Sequence, residues 1–135
     1  MLPTQILLLS LLTAAIAPAA ELFIANPSVK TVSLTTAEIK ALFSGTRTVW
    51  PDKSAAVIAL ASSGPGQEAL MAFIGKTPSQ FQMAWKKRVF TGSGLMPTSL
   101  PDDQAVAAFV AKTPGAFAMV SLDAAPAGVI VIAVE

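Results

Sequence analysis

Ala55-Ala56-Val57-Ile58-Ala59-Leu60-Ala61 runs straight into Ser62-Ser63-Gly64-Pro65-Gly66, and this stretch decides the fold class. The first half is apolar throughout, with β-branched Val57 and Ile58 favouring extended backbone, so it reads as a strand buried on both faces. The second half is a turn. Beyond it, Leu70, Phe73 and Ile74 fall on one face of a helix that Gly75 closes. A buried strand feeding a helix through a tight glycine turn predicts an α/β domain with helices flanking a central sheet.

Working outward, the same logic recurs. Leu22-Phe23-Ile24-Ala25, ended by Asn26-Pro27, reads as another buried strand. Thr35-Thr36-Ala37-Glu38 is a capping box, followed by Ile39, Leu42 and Phe43 on one face and a stop at Gly45. Trp50-Pro51-Asp52-Lys53 is a turn. Thr77-Pro78-Ser79-Gln80 places a cap, Pro at the first helical position and Gln at the third, ahead of Phe81, Trp85 and Val89. A loop over residues 92–101 precedes a helix beginning near Asp102, with Val106, Phe109 and Val110 turned inward. Thr113-Pro114-Gly115 suits a type II turn. Residues 116–120 and 129–134 complete the strands. The predicted order is β-α-β-α-α-α-β-β, without repeats.

Residues 1–19 stand apart. Every charged residue lies at or after Glu21, and residues 6–16 are apolar except for Ser10 and Thr13. That run is about eleven residues long, against the roughly 20 that a bilayer-spanning helix needs. Ala17-Pro18-Ala19 is a small-x-small cleavage pattern. The expectation is a signal peptide over residues 1–19 and a single domain over residues 20–135, periplasmic or secreted from a bacterium. No stable membrane insertion is expected after cleavage.

Composition excludes several chemistries. With no Cys or His, the chain cannot build a zinc finger, a Cys–His nucleophile or a Ser–His–Asp triad, and no disulfide can form. A net charge of +1 gives no field that would favour nucleic acid. Neither Ser-x-x-Lys nor Gly-x-Ser-x-Gly occurs. The chain is expected to be no enzyme and to need no cofactor or metal.

The candidate site is the turn before the second helix. Backbone amides at a helix N-terminus are unpaired and carry the positive end of the helix dipole, so Ser63, Gly64 and Gly66 form a candidate anion site. The same pattern also fits Ser63 as a plain helix cap, and the two roles are compatible. Lys86-Lys87-Arg88 reads as a solvated helix end whose cations complement the dipole. Asp102-Asp103 reads as first-turn electrostatics. Trp50 and Trp85 read as core.

Taken in order, several short motifs resemble periplasmic phosphate-binding proteins, the substrate-binding components of phosphate ABC transporters. They are Asn26-Pro27, residues 34–39 with Phe43-Ser44-Gly45, Trp50-Pro51-Asp52, Ser63-Gly64, Phe90-Thr91-Gly92, and Val110 through Pro114-Gly115-Ala116 to Val120. The resemblance spans residues 22 to about 121. It implies a type II periplasmic-binding-protein fold, normally two lobes, of which this chain is expected to form the second with the crossing strands at either end, and it implies transport-related binding of phosphate. The family's loop in this lobe reads Arg-x-Asp-x-Ser-Gly-Thr. Aligned on Ser63-Gly64, this chain has Ala59, Ala61 and Pro65 at the Arg, Asp and Thr positions. The family's Gly-Ala-Ile-Gly-Tyr becomes Gly115-Ala116-Phe117-Ala118-Met119, losing its Tyr.

Two expectations for function follow. The first is an exported binding protein with weak affinity for phosphate or another small anion. The second is a single-lobe interaction module of the envelope or a secretion assembly that has lost phosphate. A homodimer or an envelope protein is the expected macromolecular partner, because a lobe without its counterpart exposes apolar surface.

Overall fold

The computed structural model describes residues 20–92 and 94–135. The proposed signal peptide therefore lies outside the described residues. The described residues form ten elements: β1 (Ala20–Ala25), β2 (Ser33–Leu34), α1 (Thr36–Ser44), β3 (Val57–Ala61), α2 (Pro65–Ile74), α3 (Pro78–Phe90), β4 (Thr98–Leu100), α4 (Asp103–Lys112), β5 (Ala116–Leu122) and β6 (Ile130–Val134). The strands form one sheet in the order β2-β6-β1-β5-β3-β4. The neighbours β3, β4 and β5 are mutually parallel, and β1 pairs antiparallel with both β5 and β6.

Local chemistry sets the helix boundaries. Thr35 and Thr77 each cap a helix through a reciprocal box, with Glu38 and Gln80 reaching back to the cap amide. Gly45 and Gly75 end α1 and α2 in the left-handed conformation, as their positions predict. The Thr113-Pro114-Gly115 turn also forms, closed by the Ala116 amide donating to the Thr113 carbonyl at 3.1 Å.

Alternation along the central strands sorts the core into two layers. Phe23, Ile58, Leu60, Phe117 and Met119 face one side, where α1, α2 and α3 add Leu42, Phe43, Leu70, Phe81 and Trp85. Ile24, Ala59, Ala61, Ala118 and Val120 face the other side, where α4 adds Val106 and Val110. Small alanines on that second face let α4 lie close against the sheet. Both tryptophans are core, as expected, and each has its indole N–H satisfied. Trp50 Nε1 donates to the Gly115 carbonyl at 2.9 Å and Trp85 Nε1 to the Phe43 carbonyl at 2.8 Å.

Two strands depart from the expected order. The segment expected to be a loop before the fourth helix contains β4, and β2 precedes α1. Each is very short and sits at a sheet edge, paired to β6 or β3, with Leu34 and Leu100 packing into the core layers. What matters for the site is direction. The connection from β3 to β4 runs through α2 and α3 over one face, and that from β4 to β5 runs through α4 over the other. The starts of α2 and α4 therefore meet at the carboxyl ends of the three parallel strands, where open α/β sheets bind ligands.

Candidate ligand site at the start of α2

The turn joins β3 to α2 under firm backbone control. The Ser62 amide donates to the Leu100 carbonyl at 2.8 Å, tying the turn to the end of β4. The Gln67 side-chain amide donates to the Ser62 carbonyl at 3.2 Å. The helix cap is Gly64, not Ser63: no side chain caps α2. This corrects the cap reading of Ser63. Gly64 sits at φ 99° and ψ −173°, a region open to glycine and strained for other residues. Its carbonyl accepts the first helical bond, from Glu68 at 3.0 Å. Pro65 follows at the first helical position and contributes no N–H.

Ser63 is exposed, Gly64 half-buried and Gly66 buried, so the three candidate residues share one turn but differ in availability. The Gly66 amide is already committed. It donates at 3.0 Å to Asp103 Oδ2, which also receives the Ser121 amide of β5 at 3.3 Å. Asp103 is only 8% exposed, and its Oδ1 is buried without a hydrogen-bond partner. A Cβ on Gly66 would fall inside this carboxylate, 2.7 Å from its Cγ. Space, not backbone conformation, therefore requires glycine at position 66. The Cα hydrogen that stands in that direction points at Oδ1, a weak contact for an oxygen that has no better one.

Both acids stand at the start of α4 as the first-turn reading expects, Asp102 as the cap and Asp103 in the first turn, but Asp103 has a further role. Asp102 caps α4, accepting the Ala105 amide at 2.8 Å. Asp103 turns away from its own helix and joins the starts of α2 and α4. Sequence reasoning missed this role. Its one signal is that a helix needs a single capping acid, so the spare Asp in Pro101-Asp102-Asp103 has no local partner.

Beside the turn is a cavity of about 130 Å³, lined by Ser62, Gln67, Gln82 and Ser99 with Met71 and Phe81 among its apolar walls. None of its lining residues is charged. Ala59 and Ala61, at the positions aligned with the family's Arg and Asp, are fully buried beneath α4. Lys87 and Arg88 lie in the last turn of α3, as expected of a solvated helix end. Among the described residues, no group of His, Cys, Asp and Glu could hold a metal ion. No described helix is long and apolar enough to cross a membrane.

No protein-family model matches the chain, and no curated protein matches it in sequence. Solved structures do match. A phosphate ABC transporter substrate-binding protein from Clostridium perfringens, with bound phosphate, superposes with a TM-score of 0.69 at 16% identity, covering 88% of this chain and 46% of that one. An ABC-type phosphate transport receptor from Vibrio cholerae gives 0.69 at 13% identity, covering 89% and 48%. PstS from Borrelia burgdorferi gives 0.61 at 16% identity, covering 87% and 47%. The chain spans about half the length of these structures, and its fold is that of the phosphate ABC transporter substrate-binding proteins over a single lobe.

Proposed function

We propose that the chain is an exported, non-enzymatic binding lobe whose ligand-facing element is the turn at residues 62–66, and that it holds inorganic phosphate no tighter than millimolar. One observation carries this reading. The turn opens α2 at the carboxyl ends of three parallel strands, in a fold that a phosphate-bound protein shares. What the turn can offer an anion is the Ser63 hydroxyl and the amides of Ser63 and Gly64. Pro65 has no N–H, and the Gly66 amide serves Asp103.

Magnitudes decide between tight and weak binding. A charge-assisted hydrogen bond contributes about 1.5–3 kcal/mol, so lacking a bidentate guanidinium weakens an anion site by roughly tenfold to several hundredfold. Ala59 supplies none, and the adjoining cavity has no cation on its walls. An anion held from one side also stays open to water, which competes for every donor. Export to a bacterial periplasm or medium is supported by the charge-free residues 1–20 and by Ala17-Pro18-Ala19.

Calorimetry with inorganic phosphate on the phosphate-free protein tests the reading. A millimolar or undetectable constant is expected, with any residual binding weakened by Ser63→Ala. A micromolar constant would overturn it. A second reading, an interaction module of the envelope or a secretion assembly, is favoured by one observation. Phe90 at the end of α3 and Leu95 just beyond it are 93% and 87% exposed, and Met83, in the middle of α3, is also bare. Large apolar side chains this bare, close along one stretch of chain, suit a protein partner.

A further inference from the structure

We propose that Asp103 sets the charge preference of this turn: its carboxylate is a resident anion at the start of α2 that turns the site against inorganic phosphate. The inference rests on the reading of residues 62–66 as the ligand-facing turn. A helix start attracts anions because its first amides lack partners and its dipole ends there. At α2 part of that attraction is already used. Asp103 Oδ2 takes the Gly66 amide at 3.0 Å and the Ser121 amide at 3.3 Å, while Oδ1 stays buried with no partner. Oδ1 is aimed into the space that a Gly66 Cβ would fill, so the carboxylate and the glycine are shaped to each other.

An incoming phosphate at Ser63 and Gly64 meets a like charge within the same helical turn. At separations of about 6–12 Å and an effective dielectric of about 20, such repulsion shifts a dissociation constant by roughly tenfold to a hundredfold. No basic side chain lines the adjoining cavity to offset it. That cavity instead presents the neutral hydrogen-bonding groups of Ser62, Gln67, Gln82 and Ser99.

The test compares phosphate binding by the full chain and its Asp103→Asn variant, using calorimetry. The amide is close to isosteric and keeps an oxygen for the Gly66 and Ser121 donors, but removes the charge. Asp103→Asn is expected to bind phosphate at least tenfold more tightly than the parent chain. Equal affinities in a folded variant would overturn the inference and leave the low-affinity reading intact. Micromolar binding by the parent would sink the low-affinity reading alone, provided Asp103→Asn binds tighter still. A further measurement needs no variant. In an NMR titration of the parent with phosphate, the Gly66 amide is expected to stay in place. A Gly66 amide that shifts together with those of Ser63 and Gly64 would show that Asp103 surrenders its donor, and would equally overturn the inference.

Discussion

At Gly66 a single methyl group tests the buried carboxylate. The added Cβ would displace Asp103, whose short side chain is held by two amides and has little room to move. Gly66→Ala is therefore expected to lower stability by about 1–3 kcal/mol, the usual penalty for overpacking. In an Asp103→Ser background the same change should cost clearly less, because the clashing atoms are gone. Urea denaturation of the four proteins in this cycle checks it, and additive effects would mean that the two residues do not touch. Gly64 behaves differently. A Cβ there would meet nothing, yet its φ of 99° strains any other residue, so Gly64→Ala is expected to cost about 1–3 kcal/mol whichever residue stands at position 103. Glycine at 64 was legible from the turn itself. Glycine at 66 was not, because its reason is an atom on a distant helix.

The two capping boxes differ in one testable respect, since α1 uses an acid and α3 an amide. The Thr35 backbone N–H, donating to Glu38 at 3.1 Å, holds the Glu38 carboxyl below the usual carboxylate range, helped by the Thr35 hydroxyl and by Arg47 at 3.1 Å. A folded value below the unfolded one stabilises fully at pH above the unfolded value, and the gain disappears as pH falls through the folded value. The parent chain should therefore exceed Glu38→Gln in stability at neutral pH. That gap is expected to shrink below about pH 4.3, the unperturbed glutamate value. Parallel denaturant titrations at several pH values check this. A gap that stays constant with pH would rule out the ionised cap. The α3 box, built on Gln80, should give no such dependence when Thr77→Ala removes it, at a cost of about 1 kcal/mol. Both boxes could be read from the sequence, because every bond in them spans three residues. The strands β2 and β4 could not, since so short a segment has no periodicity and exists only through its neighbour in the sheet.

For the whole molecule, the exposed apolar residues around the end of α3 bear on self-association. We expect sedimentation to show a concentration-dependent homodimer or, failing that, a protein partner recovered by pull-down. Replacing Phe90 and Leu95 by Ser should abolish either. A monomer at every concentration with no recovered partner would count against both. Processing is tested separately. The intact mass of the exported protein should correspond to a chain beginning near Ala20 or Glu21, and a soluble exported product retaining Met1 would contradict cleavage.

What the sequence by itself determined is whatever short-range physics controls. Runs of β-branched and apolar residues gave the buried strands. Thr-x-x-Glu and Thr-x-x-Gln gave the helix starts, and the Pro114-Gly115 turn and the glycine stops gave the ends. Those patterns, in order, were enough for an α/β class; the expectation of one lobe of the phosphate-binding-protein fold came from the resemblance of its short motifs to that family. The tertiary structure alone decided which strands would be edges, that Ala59 and Ala61 would lie under α4, and that Asp103 would occupy the start of α2. Asp103 lies 37 positions from Gly66, so no local spacing announces the bond between them. Only the crossing of two connections over opposite faces of the sheet brings that carboxylate to the one described helix start that lacked a side-chain cap.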